Sequence, residues 1–243
     1  MKTIKTPQDI KKLGTILSVW AHPDDESFLA AGIMAVAARQ GQKVICITAT
    51  RGENGSYDES RWPANAIGKI RAKEMNAALN ILGVEHHHWL NYEDGKCADA
   101  DPIEASRRIF KLIDSYRPNS ILTFGSDGLT GHTDHQAVSR WCTEACKNKG
   151  IEAKIYHAVI EKKQYQSYLK EADKKVNIFF NIKKPLIADE DDCSISLTLP
   201  IRVLTLKRRA LEAMPSQTKE LFSKFGDTFL DNAFRTEFFI NPK

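Results

Sequence analysis

Up to about residue 160 the chain alternates short extended runs with longer helical patterns, and no other feature limits the fold as strongly. The extended runs lie at 15–21, 43–49, 85–90, 120–124 and 153–159. Between them, 26–39, 64–82, 102–116 and 134–147 read as helices. In 64–82, Ile67, Ile70, Met75, Ala78, Leu79 and Leu82 fall on one side, and Gly83 supplies a C-terminal stop. This rhythm predicts an α/β fold, a Rossmann-like three-layer sandwich with a mostly parallel sheet between helical layers. Sites in such sheets lie outside the carboxyl ends of the strands, here the loops after residues 21, 50, 90 and 124. Residues 161–243 are less regular, with strand-like runs at 176–182 and 194–199 and a helix near 201–213. With no internal repeat or linker, 1–243 reads as one domain: a core of about 14–160 and a C-terminal elaboration of about 161–243.

Composition serves mainly to exclude. At 42% hydrophobic and 27% charged residues, the 243-residue chain is neither disordered, collagen-like nor a coiled coil. Its longest near-apolar run, Phe28 to Ala38, is shorter than the ~20 residues of a membrane helix. The N-terminal MKTIKTPQDIKK has no apolar region, so no secretory signal is expected and a cytoplasmic location is predicted. The net charge of +4 is small against 35 basic and 31 acidic residues. Lys162, Lys163, Lys170, Lys174, Lys175, Lys183 and Lys184 enrich one stretch, read as a solvated surface and not as a nucleic-acid patch. Five cysteines with no CxxC pair fit reduced thiols.

The chemistry sits at two of the strand ends. Directly after the first strand comes Ala21-His22-Pro23-Asp24-Asp25-Glu26-Ser27, where a dinucleotide-binding domain would carry GxGxxG. The glycines are missing, and two adjacent carboxylates would repel a phosphate. After the fourth strand, Gly131-His132-Thr133-Asp134-His135 brings two more histidines and a carboxylate to the same rim. Either aspartate of the first loop could by itself be a helix cap. Imidazoles and carboxylates gathered from two strand ends are instead a donor set for a catalytic zinc, with three protein ligands and an open position.

These segments, together with Thr50 to Gly55 (TRGENG) after the second strand, resemble the LmbE/PIG-L-like zinc-dependent N-deacetylases. Arg71-x-x-Glu74-x-x-x-Ala78 and Leu82-Gly83 are similar to that family's helix pattern. Lys207 to Gln217 (KRRALEAMPSQ) looks like its K-x-x-A-x-x-x-H-x-S-Q segment, with Met214 where a His is usual. The resemblance implies that His22, Asp25 and His135 bind the metal. It implies Asp24 as general base, and His132 as the group that stabilises the oxyanion or protonates the leaving amine. Zn2+ is the implied cofactor, with Fe2+ or Co2+ as substitutes. The implied reaction removes the acetyl group from an N-acetylated amino sugar or N-acetylglucosaminyl conjugate. Asp134 is placed to fix an imidazole tautomer, and its carboxylate is expected to favour a protonated His132. Arg51 and Asp94, on the loops after strands two and three, are expected to touch substrate.

Other features carry less. His86-His87-His88 cannot converge on one ion, because adjacent strand residues face opposite ways. Asp189 to Asp192 lacks the spacing of a calcium loop. Glu74 reads as a loop anchor and Trp20 as core. A metallophosphoesterase, which needs two metals, and an inactive sugar-conjugate binding protein are the alternatives to a deacetylase. The small-molecule partner is an amino sugar, with no nucleic acid and no integral membrane segment; the sequence leaves a homo-oligomer open.

Overall fold

The apolar runs become strands buried on both faces, as expected for the middle of a parallel sheet. The structure, a computed structural model, describes residues 3–56 and 58–242, so Met1, Lys2 and Lys243 at the ends of the predicted domain lie outside the described residues. β1 (Ile16–Trp20), β2 (Val44–Thr48) and β4 (Ser120–Phe124) are buried at every position, whereas β3 (His86–Trp89) is half-buried throughout. With β5 (Lys154–Ala158), these five are parallel in the order β3-β2-β1-β4-β5. α1 (Asp25–Leu29) and α2 (Ala31–Arg39) connect β1 to β2, and α3 (Ile67–Leu82) connects β2 to β3. α4 (Pro102–Tyr116) precedes β4; α5 (Gly128–Gly131) and α6 (Thr133–Cys146) follow it.

The pattern at 26–39 is two helices and not one, because Ala30 leaves helical geometry at φ −136°. The C-terminal third departs further from expectation. After the short strand β6 (Ile160–Glu161) come α7 (Lys162–Gln164), a π-helical turn at Tyr165–Leu169, and α8 (Lys170–Val176). The run 176–182 is not a strand. Asn177 ends α8 in the left-handed region, and the Asp173 carboxylate accepts from the Phe179 backbone N–H to build a turn. The apolar residues of that run gather in a small separate cluster: Phe179 is buried with Ile160 and Leu169, and Ile178 and Ile182 pack against them. β7 (Ile187–Ala188) pairs with β6, and β8 (Ile195–Thr198) and α9 (Ile201–Glu212) fall where the sequence placed a strand and a helix. α10 (Pro215–Ala233) and β9 (Thr236–Ile240) were not anticipated. β9 lies antiparallel between β5 and β8, so the C-terminal stretch adds two strands to the same sheet.

A buried ion pair ties this addition to the rest. Lys207 of α9 and Glu237 of β9 are 1% and 2% exposed, with Nζ and Oε1 2.8 Å apart. Glu237 also accepts from the backbone N–H groups of Gly32 and Ile33, both at 2.8 Å. The start of α2, α9 and β9 therefore meet on one carboxylate. Replacing Lys207 leaves that charge buried and unpaired, which typically costs about 3–5 kcal/mol. Urea unfolding of Lys207→Met should show a loss of that size, and Lys207→Met combined with Glu237→Gln should lose clearly less than the sum of the single changes.

Candidate metal centre and active site

β1 and β4 are neighbours at the point where strand order reverses, so the loops leaving their carboxyl ends flank one crevice. The first loop delivers His22, Asp24 and Asp25. Asp24 sits at φ 117°, a region that costs a non-glycine residue strain, while its carbonyl accepts from the Ser27 and Phe28 N–H groups that open α1. The second loop delivers His132, which caps α6: its Nδ1 accepts from the Asp134 N–H at 3.2 Å. Asp134 and His135 then fall in the first turn of α6.

Donor atoms of three residues converge. His22 Nδ1 lies 3.2 Å from His135 Nε2; Asp25 Oδ1 lies 3.5 Å from His135 Nε2, and Asp25 Oδ2 3.7 Å from His22 Nδ1. Ligands at ~2.1 Å around a tetrahedral ion stand about 3.4 Å apart, so the triangle fits one. The outer nitrogens fix the tautomers. His135 Nδ1 lies 3.0 Å from the Gly128 carbonyl, which can only accept, so Nδ1 carries the hydrogen and Nε2 is bare. His22 Nε2 lies 3.0 Å from Asp94 Oδ1 and 3.2 Å from Asp134 Oδ2, and must carry a hydrogen between them. Two imidazole lone pairs therefore face each other at 3.2 Å, a contact that requires a cation or a proton between them. Phe124 stacks on His135 with centroids 4.1 Å apart, closing the triangle from one side.

Charge follows the same division. Burial alone would depress His22, but Asp134, Asp94 and Asp25 together raise its pKa to about 10. Burial, reinforced by the charge on His22, pushes His135 down to about 4. Burial opposes the charge on Asp94, yet the hydrogen bond from His22 prevails and draws its carboxyl to about 2. Asp94 thus has a different place from the substrate contact expected of its loop. It is buried, its second oxygen accepts from the Asn54 N–H at 2.9 Å, and it supports His22 from behind. Asp134, fully buried, accepts from the Gly95 and Cys97 N–H groups as well.

Asp24 stays clear of the triangle. Its side chain is one-fifth exposed, and its Oδ2 lies 3.3 Å from Arg71 Nη2. Burial pushes its pKa up to about 7 despite the Arg71 guanidinium, with Asp25 and Glu26 adding to the rise. Arg71 is buried and also donates to the Pro23 and Gly52 carbonyls, at 2.6 and 3.0 Å. A Cβ on Gly52 would stand 2.1 Å from Arg71 Nη1, which explains the glycine. Glu26, which the sequence did not single out, is wholly buried beneath this turn. It accepts from the Asp24 N–H at 3.1 Å and from Ser27 Oγ at 2.6 Å, and burial lifts it to about 7. The one signal was an acid opening an otherwise apolar helix.

His132 reverses an expectation. Burial, followed by the charge on His22, lowers its pKa, and together they outweigh Asp134. With Nδ1 accepting from the backbone, the neutral ring carries its hydrogen on Nε2. The ring packs edge-on to His22, with centroids 4.8 Å apart, and stacks beside His135 at 4.9 Å. Arg51 lies at the rim, its guanidinium 4.5 Å over Trp89 and Nη2 donating to Asn91 Oδ1 at 3.0 Å. Glu53 joins the two loops, accepting from the Arg51 and Asp94 N–H groups. Glu74 accepts from Ser216 N–H and Oγ at the start of α10, and Met214 is core packing at 1% exposure. His87 bonds to Thr48 and His88 to Tyr116, on opposite faces of β3.

Two further His/Asp groups gather donor atoms among the described residues, His22-His132-His135 and His22-Asp94-Asp134, and both share His22 with the triangle. Since its Nε2–H is taken by two carboxylates, the geometry builds one metal centre, not the pair of a metallophosphoesterase. Fold and site together define a metal-dependent hydrolase of the α/β class. Residues 17–146 match the family described as PIG-L: GlcNAc-PI de-N-acetylase, and the chain belongs to that family of metal-dependent de-N-acetylases. A 1D-myo-inositol 2-acetamido-2-deoxy-alpha-D-glucopyranoside deacetylase of Actinosynnema mirum is 27% identical over 226 residues, covering 83% of this chain and 80% of the relative. The N,N'-diacetylchitobiose deacetylase of Pyrococcus horikoshii has the same fold, with TM-score 0.67 and 19% identity over 96% of this chain and 85% of that one. A zinc-inhibited form of a teicoplanin deacetylase gives TM-score 0.64 at 17% identity, covering 89% and 90%. Among the described residues no helix is long and apolar enough to cross a membrane.

Without metal, a proton on His22 holds the two rings together, and an ion must displace it. Loading Zn2+ at pH 7 should therefore release about one proton per ion, with apparent affinity rising as pH rises toward 10. Calorimetric titration in two buffers of different ionisation enthalpy reads this number; zero release would contradict the tautomer assignment.

Proposed function

We propose that the chain hydrolyses the acetamide of an N-acetylglucosaminyl conjugate, releasing acetate and a primary amine. The observation that carries the reading is the triangle of His22 Nδ1, Asp25 and His135 Nε2 with the Asp24 carboxylate beside it. His22, Asp25 and His135 would hold a divalent ion, zinc by family, with Fe2+ or Co2+ as substitutes. That ion supplies Lewis acidity, which polarises an amide carbonyl and makes water a nucleophile near neutral pH.

The remaining work falls to the side chains. Asp24 accepts the proton of the attacking water; its raised pKa suits a base that must later give that proton to the departing nitrogen. Arg71 and Glu26 hold it through its side chain and its N–H. Neutral His132 would act through Nε2–H, donating a hydrogen bond to the oxygen as it gains charge. Asp94 and Asp134 keep the His22 hydrogen on Nε2, so that Nδ1 faces the site. Arg51, at the polar rim, would take hydroxyls or a phosphate of the conjugate.

A screen of N-acetylglucosaminides with varied aglycones, inositol and a second glucosamine among them, tests the proposal through primary-amine release. No turnover on any of them by protein carrying one metal per chain would refute it. Asp24→Asn should keep the metal and lose ~10²–10⁴-fold in kcat. His132→Ala should keep it too and lose ~10²–10³-fold, the usual penalty for one oxyanion donor. Because Asp24 works as the carboxylate, the wild-type rate should fall as pH drops through its pKa, on a limb above the ordinary carboxylate range.

A further inference from the structure

Beside the metal centre lies a cavity of about 230 Å³ that deacetylation of an acetamide does not require. It starts at Asp25 and His135 and runs beneath the C-terminal helices, walled by Phe28, Phe124, Leu129, Phe179, Phe225 and Phe229. Away from the Asp25–His135 corner, its polar lining residues are Thr130, Thr236, Glu237 and Gln164; Thr236 bonds to Thr198, and Glu237 and Gln164 are engaged elsewhere. Glu237 pairs with Lys207 and two backbone N–H groups, and Gln164 Nε2 donates to the Ala233 carbonyl at 2.9 Å. An acetyl methyl, at roughly a water's ~30 Å³, would leave most of this space empty. The cavity is open to solvent, so without an occupant its apolar lining stays in contact with water, which argues for an apolar occupant.

Resting on the amide hydrolysis proposed above, we infer that this cavity receives the acyl group, and that beyond the acetamide the site takes amino sugars bearing a medium-chain fatty acyl amide. Two observations select the acyl side. The cavity's lining reaches Asp25 and His135, two of the proposed metal ligands, so a group joined directly to the reacting carbon is the part of the substrate nearest to it, whereas an aglycone is separated from it by the sugar ring. The sugar itself would leave its hydroxyls without partners in this lining, a heavy desolvation penalty. Its hydroxyls instead have the polar rim of Arg51 and Asn91 on the β2 and β3 loops. The bond broken is the same amide C–N bond: water supplies OH to the acyl carbon and hydrogen to nitrogen, giving a fatty acid and the amine.

The test is a chain-length series on the metal-loaded protein, using methyl glucosaminides that carry N-acetyl, N-butanoyl, N-hexanoyl or N-octanoyl groups. Each buried methylene is worth ~0.8 kcal/mol, or about fourfold, so kcat/KM should climb from acetyl to an optimum at hexanoyl or octanoyl. Ala172→Phe, which fills the cavity from α8, should lower the octanoyl-to-acetyl ratio of kcat/KM at least tenfold. An optimum at acetyl with steady decline thereafter would overturn the inference while leaving the deacetylase reading intact. A gain of equal size from the octyl glycoside of N-acetylglucosamine would overturn it as well, by assigning the cavity to the aglycone. Absence of turnover across the whole series, acetyl included, would remove both.

Discussion

Two imidazole nitrogens held 3.2 Å apart, with room for one proton or one cation between them, are the constraint on which the site depends. With neither proton nor cation between them they would repel, and the fold holds each ring from behind. The Gly128 carbonyl fixes one ring and the Asp94–Asp134 pair fixes the other. Those two carboxylates are held in turn by the backbone of the loops after β2 and β3, through the N–H groups of Asn54, Gly95 and Cys97. Four connections at the same end of the sheet are thereby coupled to the orientation of His22. A cation between the rings relieves the repulsion, and a proton does so less specifically.

The same economy of position appears at Asp24. Consecutive aspartates diverge because Asp24 occupies a strained φ of 117°, which turns Asp25 toward the two histidines and Asp24 toward Arg71. One carboxylate faces the two histidines, and its neighbour faces Arg71 with a pKa raised by burial to about 7. The strain is offset by backbone bonds that open α1 and by the buried Glu26, which accepts the Asp24 N–H. Adjacent residues of one chemical type thus come to different surroundings through the turn of the backbone between them.

Much of this was legible in the sequence. The five parallel strands follow from apolar runs short enough to cross a sheet, and their order puts the HPDD and HTDH segments on one rim. The proposed ligands and the proposed base lie in those two contiguous segments, so the sequence already puts them next to one another. What depends on burial was not legible. Asp94 looked like a rim residue because its loop leaves a strand end, but the loop folds back under His22. The charge state of His132 reversed because desolvation and the His22 charge outweigh a single carboxylate. The apolar cavity and α10 were hidden for a related reason: α10 is interrupted at Gly226, φ 74°, and its phenylalanines face a space that only the assembled C-terminal third encloses.

His22 offers two faces, and the central claim is that metal binds at only one of them. Anomalous diffraction at the zinc edge from crystals of the zinc-loaded protein locates the ion directly. The account predicts a single peak ~2.1 Å from His22 Nδ1, His135 Nε2 and an Asp25 oxygen. A peak on the Nε2 side of His22, between Asp94 and Asp134, would contradict it.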